Sequence, residues 1–550
     1  MATRKRKRNK TRVLIACTVV LSLMVAAMGA YFFYMQKKLN MTSPYYLAND
    51  VRDVPILDEN FNDASICRGT LVDIKNRTEK IEDIEYRIFE MDNRTFYVLE
   101  EYLETNRDDC VREESLYALR NSVLTKEYDS YLISGWAEKN SLHQVSGYHE
   151  LMENGEVDYY ELDSLGYMKG EYLSKEYYET AYDSLTYSYI DYGAGGSPLS
   201  VDYYPREVSA LDGNVMPNIV KALYINAEAI SDVDSYLDIA RESGGINAFV
   251  VDIKDCYIDT QLAYDSPTAL SYAPSISNIP NSYDTYKECV SKIKEAGYYL
   301  IGRITAFKDD AFAIDNPGEA LMYNGSLYSY GSVKWPSIFS RKMWEYNVAL
   351  ASEAVTEMGF DEIQFDYVRL PEDVEGVDLR NDLAETRVRA VTEFLRYASE
   401  QLHRLNAYVS ADVFGEISGN DRDSLSCFVS YYGQFWPAIS NTVDAISSMP
   451  YPDHFSDYSY GISEPWANPG ELMEAWGKAT KFAQDVTYDA AKCRTWIMAQ
   501  SSDAYDVYYG PDFITAQIDG LKKADVFDGY MTWSASSNIN RYWLYLECFN

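Results

Sequence analysis

The chain has 550 residues, 47% of them hydrophobic, with 51 tyrosines, 85 acidic and 49 basic side chains and a formal net charge of −36. That length exceeds one ordinary core, so two or more domains are expected, and the composition excludes a disordered chain. The acidic balance excludes nucleic acid as a partner, because such a surface repels phosphate.

In chain order, the first twelve residues carry seven basic side chains (Arg4, Lys5, Arg6, Lys7, Arg8, Lys10, Arg12), and residues 13–35 follow as 23 residues without a charge. That run is long enough to span a bilayer. A cleavable signal peptide has a shorter apolar core and a small-residue cleavage site. Here the run ends in Tyr31, Phe32, Phe33 and Tyr34, then Lys37 and Lys38. The reading is a cytoplasmic basic tail (1–12) and an uncleaved transmembrane anchor (13–35) in the cell membrane, with the C-terminal body extracellular.

Cys17 lies in the anchor, and the other cysteines are widely spaced with no CxxC pair; His143, His149, His403 and His454 are scattered. Neither a metal nor any other cofactor is expected from this pattern, although Cys67 and Cys110 can bridge in an oxidising compartment.

Residues 36–65 read as a polar stalk, followed by a repeat. FYVLEEYL at 96–103, GWAEKNSL at 135–142 and GYMKGEYL at 166–173 align without gaps on an aromatic (Tyr97, Trp136, Tyr167) and a leucine six residues later (Leu103, Leu142, Leu173). Three such copies predict small β units over 66–205. Their closing GY, variable, Tyr-Leu pattern resembles the last strands of bacterial Src-homology-3-like modules, which implies a cell-wall or other surface polymer as partner. The aromatics suit the filling of tiny cores equally well. Gly193 to Pro198 (GAGGSP) and Pro205 read as a connector, placing the domain boundary between 195 and 216.

From residue 216 to 550 strand and helix patterns alternate, the sign of a parallel sheet. Strands are expected at 220–225, 246–254, 298–305, 362–366, 407–413, 445–449, 495–499 and 529–533, with a capping box of Ser231 and Asp234 opening the first helix. Eight strands separated mostly by helices predict a (β/α)8 TIM barrel, so the fold class is α/β: one N-terminal transmembrane helix, a mainly β N-terminal region and a C-terminal barrel.

The most informative stretch is GFDEIQFDYVRLP at 359–371. Its alternation points Ile363, Phe365 and Tyr367 toward the surrounding helices and Glu362, Gln364 and Asp366 toward the axis. Asp366 then stands at the carboxyl end of a strand, where barrel active sites collect. The alternative is an Asp366 that only caps or pairs with Arg369.

VKALYIN, AFVVDIKD, IGRITAFKD, GFDEIQFDYVRLP, VSADVFG and DGYMTWSASSN, in this order and at strand ends, resemble a glycoside hydrolase barrel found in bacterial surface proteins. The resemblance spans roughly 218–545 and implies a carbohydrate-active barrel distantly like the α-amylase clan. In that clan the nucleophilic carboxylate ends strand four and the acid ends strand five, which implies Asp366 and Asp412. The clan has an arginine two residues before its nucleophile, and this chain has Gln364.

Glycoside cleavage needs two carboxyl groups flanking the bond, one ionised and one protonated. Asp366 and Asp412 can meet the retaining or the inverting geometry, and Glu416 is an alternative acid. Arg303 and Lys254 supply positive charge that keeps Asp366 ionised, with Asp252 in the same network. Tyr367, Tyr451, His454 and Trp533 sit at strand ends, where aromatic faces stack on sugar rings. Lys308, Gln364, Arg369, Gln500 and Asn538 complete the candidate substrate contacts. Two functions remain open: an extracellular glycoside hydrolase acting on a polysaccharide or oligosaccharide, and a surface protein that binds carbohydrate or cell wall on a glycosidase-like barrel without cleaving it.

Overall fold

The computed structural model describes residues 2–177, 188–190, 195–196, 198, 201, 209–418, 427–486 and 491–550. The chain divides into two units, residues 1–120, 124–129 and 134–179, and residues 121–123, 130–133 and 180–550.

The first unit begins with the helix Ala2–Leu39, whose segment Leu14–Leu39 is long and apolar enough to cross a membrane. Two seven-stranded sheets follow, one from Thr42–Leu47 to Leu103–Glu104 and one from Ser115–Ala118 to Leu173–Ser174. With the strands of each sheet numbered along the chain, both have the spatial order 3-2-6-5-4-1-7. The unit is therefore a duplication of one topology, with two copies where the sequence pattern suggested three. The segments 96–103 and 166–173 occupy the same place in the two copies, sixth strand, 3-10 turn and seventh strand. The segment 135–142 instead joins the third and fourth strands of the second copy. An aromatic and a leucine at that spacing suit any strand that turns a corner.

The expected stalk at 36–65 is also corrected. Thr42–Leu47 and Asp53–Leu57 are strands of the first sheet, with Leu47, Val54 and Ile56 in its core. Cys67 and Cys110 are free thiols. Both sheets end by residue 174, and Ser188–Ile190 pair with Cys427–Val429 of the second unit, so the first unit stops short of 205. Most of the expected connector lies outside the described residues.

The second unit is a closed parallel barrel of β1 (Val220–Ile225), β2 (Ala248–Cys256), β3 (Tyr299–Thr305), β4 (Glu362–Asp366), β5 (Tyr408–Phe414), β6 (Ala445–Met449), β7 (Lys492–Met498) and β8 (Gly529–Trp533). Each strand pairs with the next, and β8 pairs with β1 from Val220↔Gly529 to Leu223↔Thr532. Local signals start and stop the intervening helices. Ser282, Ser340 and Thr386 accept backbone N–H groups as N-caps of Tyr283–Glu295, Arg341–Glu353 and Arg387–Arg404. Gly359, left-handed at φ +79°, ends the turn that feeds β4. The Ser231/Asp234 capping box does not form. A 3-10 turn, Ala229–Asp232, precedes the helix Val233–Ser243, and the Ser231 hydroxyl donates to the Glu228 carbonyl.

The alternation on β4 sorts side chains as its pattern requires. Phe365 packs outward on Phe394. Glu362, inside the barrel, takes two bonds from Arg494 at 2.7 and 2.9 Å and one each from Tyr299 and Ser410. Above it, Gln364 donates to Ser447 at 3.1 Å. Asp366 forms the next tier.

Candidate active site

The carboxyl ends of the strands surround a cavity of about 570 Å³ lined by Arg303, Asp366, Tyr367, Arg369, Glu372, Asp412, Phe414, Gly415, Glu416, Tyr432, Met449, Tyr451, His454, Phe455, Trp496 and Trp533. Register places the two aspartates together. Thr305 on β3 lies across from Asp366, and Phe365 across from Ala411, so Asp366 and Asp412 each come one residue later on neighbouring strands.

Asp366 is held as an ion pair. Its Oδ2 accepts from Arg303 Nη2 at 2.6 Å and Nε at 3.1 Å, and its Oδ1 from the Tyr367 backbone at 2.6 Å. Arg303 also donates to Asp252 at 2.8 Å and Asp255 at 3.3 Å, with its guanidinium 5.3 Å from the Trp533 ring. The partner of Asp366 is thus Arg303, not Arg369. Arg303 lies directly across from Gln364 in the β3–β4 register. The positive charge beside Asp366 therefore comes from β3, the adjacent strand.

Asp412 is in a different state. It is 1% exposed, its Oδ1 accepts from Trp496 Nε1 at 2.8 Å, and its Oδ2 is buried with no hydrogen-bond partner among the described residues. Burial pushes its carboxyl well above the ordinary range, and the charge of Asp366 pushes it further. The Trp496 bond and Arg303 act in the opposite direction. Gln434 steadies the end of β5, donating to the Asp412 carbonyl and accepting from the Phe414 N–H.

Asp252, fully buried, is pushed up to about 7 by burial, against the pull of Arg303 and with a further push from Asp255, and it also accepts from the Tyr224 hydroxyl. It does not line the cavity and reaches the lining residues through its ion pair with Arg303.

Several sequence candidates lie elsewhere. The β2–β3 register shifts between Asp252 and Lys254, which turns Lys254 out of the barrel. There Lys254 pairs with Asp309 at 2.7 Å, fully buried, and its Nζ sits 4.4 Å from the Tyr346 ring, so it supplies no charge to Asp366. Gln364 is sealed in the barrel below the cavity. Gln500 accepts from the Ala535 N–H, and Asn538 caps the last helix, Ile539–Leu544. Lys308 stands beside the cavity, 4.6 Å from the Tyr367 ring, without lining it.

Tyr367 itself does not continue the outward row of Ile363 and Phe365. The strand ends at Asp366, and Tyr367, left-handed at φ +50°, lines the cavity instead. Glu416 is exposed and hydrogen-bonded to Tyr432. Tyr451, His454 and Trp533 line the cavity, with Tyr451 and Trp533 stacked 6.2 Å apart.

Sequence reasoning missed Trp496, Gln434, Phe414, Tyr432 and Phe455. Parity could have found the first, since Arg494, Trp496 and Met498 share the inward side of β7.

Residues 222–542 match the family described as "Putative glycosyl hydrolase domain". No curated protein matches the chain. Among solved structures, the chain is similar to a hypothetical protein from Ruminiclostridium thermocellum at 30% identity and TM-score 0.30, over 35% of this chain and 97% of that one. It is similar to the PgaB (BpsB) glycoside hydrolase domain from Bordetella bronchiseptica at 12% identity and TM-score 0.43, over 58% and 95% of the two chains. A class V chitinase from Pseudomonas fluorescens shares 11% identity at TM-score 0.37, over 60% and 100%.

Proposed function

The chain belongs to the glycosyl hydrolase domain family that residues 222–542 match, and from that premise we propose a membrane-anchored extracellular glycoside hydrolase that works through Asp366 and Asp412. The observation that carries this reading is the unlike state of two carboxyls facing one cavity. Asp366 is tied to a buried guanidinium, whereas Asp412 keeps a raised affinity for its proton and an unpartnered Oδ2. Environments that separate two carboxyls in this way assign acid and base roles.

Asp412 gives its proton to the departing glycosidic oxygen. Asp366 acts from the other side of the sugar, as the nucleophile of a retaining reaction or the base that activates water in an inverting one. The exposed Glu416 is the alternative acid. Tyr451 and Trp533 offer ring faces to the sugar. The helix Ala2–Leu39 anchors the enzyme with its basic end in the cytoplasm, and the duplicated β sheets, resembling Src-homology-3-like modules, hold a wall polymer.

The test is an assay of the full chain in detergent on a glycan panel, beside Asp366→Asn and Asp412→Asn. Either substitution is expected to lower turnover by roughly 10²–10⁴-fold with binding retained. Turnover untouched by both removes the site assignment. Binding without turnover in the unmodified chain points to a carbohydrate-binding surface protein.

A further inference from the structure

Resting on the glycosidase reading of this cavity, we infer that its sugar carries a carboxylate and that Arg369 is the residue that reads it. Among the described residues, two guanidinium groups line the cavity. Arg303 is fully engaged by Asp366, Asp252 and Asp255. Arg369 is not. It is 7% exposed, its Nη1 donates to the Leu370 carbonyl at 3.0 Å, and among the described residues that is its one hydrogen bond.

Among the described residues one carboxylate, Glu372, comes within 4 Å of Arg369, its Oε1 at 3.9 Å from Nη2, beyond hydrogen-bond reach. Glu372 is half exposed, and its other oxygen, Oε2, accepts from the Tyr330 hydroxyl at 3.2 Å. Three rings hold the guanidinium in place, Phe414 at 4.3 Å, Tyr367 at 4.9 Å and Trp335 at 5.5 Å. Ring faces partly offset the cost of burying the cation but accept none of its in-plane N–H groups. A fork of donors with a fixed plane, left open toward a cavity, is complementary to a planar carboxylate. Lys308, beside the Tyr367 ring and without an ion pair among the described residues, adds positive charge on the same side.

The chain's net charge of −36 repels a densely anionic polymer at long range. Recognition therefore falls to this short-range contact, which suits one acid per sugar, a uronic acid or an acid-substituted amino sugar.

Calorimetric titration of the full chain in detergent tests this with trigalacturonate, a hyaluronan tetrasaccharide and an N-acetylglucosamine–N-acetylmuramic acid disaccharide, each beside its carboxyl-reduced counterpart. In at least one pair the acidic member is expected to bind about tenfold more tightly, a difference of roughly 1.4 kcal/mol. Arg369→Gln should erase that preference, leaving the acidic and reduced members of the pair with equal affinity, and Arg369→Lys should restore part of it. Equal binding within every pair, or a preference that survives Arg369→Gln, overturns the proposal. Turnover of a neutral glycan that depends on Asp366, with no acidic preference anywhere, overturns it and leaves the glycosidase reading standing. Absence of binding to every probe together with absence of any glycan turnover overturns both.

Discussion

The indole N–H of Trp496 donates to Oδ1 of Asp412 at 2.8 Å, while Oδ2 of the same carboxyl is buried without a partner among the described residues. One oxygen is fixed and the other has no hydrogen bond to hold it ionised. The bond favours the ionised form and so limits how far burial raises the Asp412 pKa.

Replacing Trp496 by Phe keeps most of the ring volume and deletes the donor. The alkaline limb of the kcat/KM profile is expected to move to higher pH, because a force that lowers the Asp412 pKa is gone. kcat should fall at the same time, since the carboxyl is no longer oriented. A pH–rate series on both proteins checks this, and an unmoved limb removes Asp412 as the acid.

The same proton affects stability. The folded pKa of Asp412 is raised above that of an unfolded aspartate, about 3.9. Its contribution is therefore fully present below that unfolded value and is lost as pH rises through the folded value. Urea unfolding of Asp412→Asn should show a flatter dependence on pH over that window than the unmodified chain.

Arg303→Gln should be severe. It leaves Asp252 and Asp366, both buried, without their counter-charge. Removing one partner of such a buried network costs about 3–5 kcal/mol, readable as a shift of the urea midpoint. Lys254→Met together with Asp309→Asn removes both charges of a buried pair, keeps a side-chain oxygen to accept from the Phe312 N–H, and is expected to cost less.

Barrel closure depends on Gly529. Its φ is +128°, and a Cβ there would lie 1.8 Å from the Val220 carbonyl oxygen, at the first pair of the β8–β1 register. Gly529→Ala is expected to destabilise the second unit by about 3 kcal/mol through strain and overpacking, with the urea midpoint again the measurement.

The eight strands were legible in the sequence because each lies between helices and carries its own period, and β4 shows how far that extends. Its alternation alone stacked Glu362, Gln364 and Asp366 on the axis. The same logic failed where the backbone leaves the pattern: the shift after Asp252 sends Lys254 outward, and the left-handed Tyr367 leaves the outward row. In the first unit a short motif was counted three times, because spacing alone does not reveal which strand carries it.

By itself, then, the sequence determined the apolar N-terminal segment, the order of the barrel strands and the two aspartates at neighbouring strand ends. The first two and Asp366 follow from local composition and periodicity, whereas Asp412 was implied by the family resemblance. Only the tertiary structure decided which aspartate is paired with a guanidinium and which has its pKa raised by burial. Those states depend on burial and on partners distant along the chain: Arg303 lies 63 residues before Asp366, and Trp496 lies 84 residues after Asp412. Electrostatic free energy depends on distance in space and on exclusion of water, and neither is encoded in the spacing of residues along a chain.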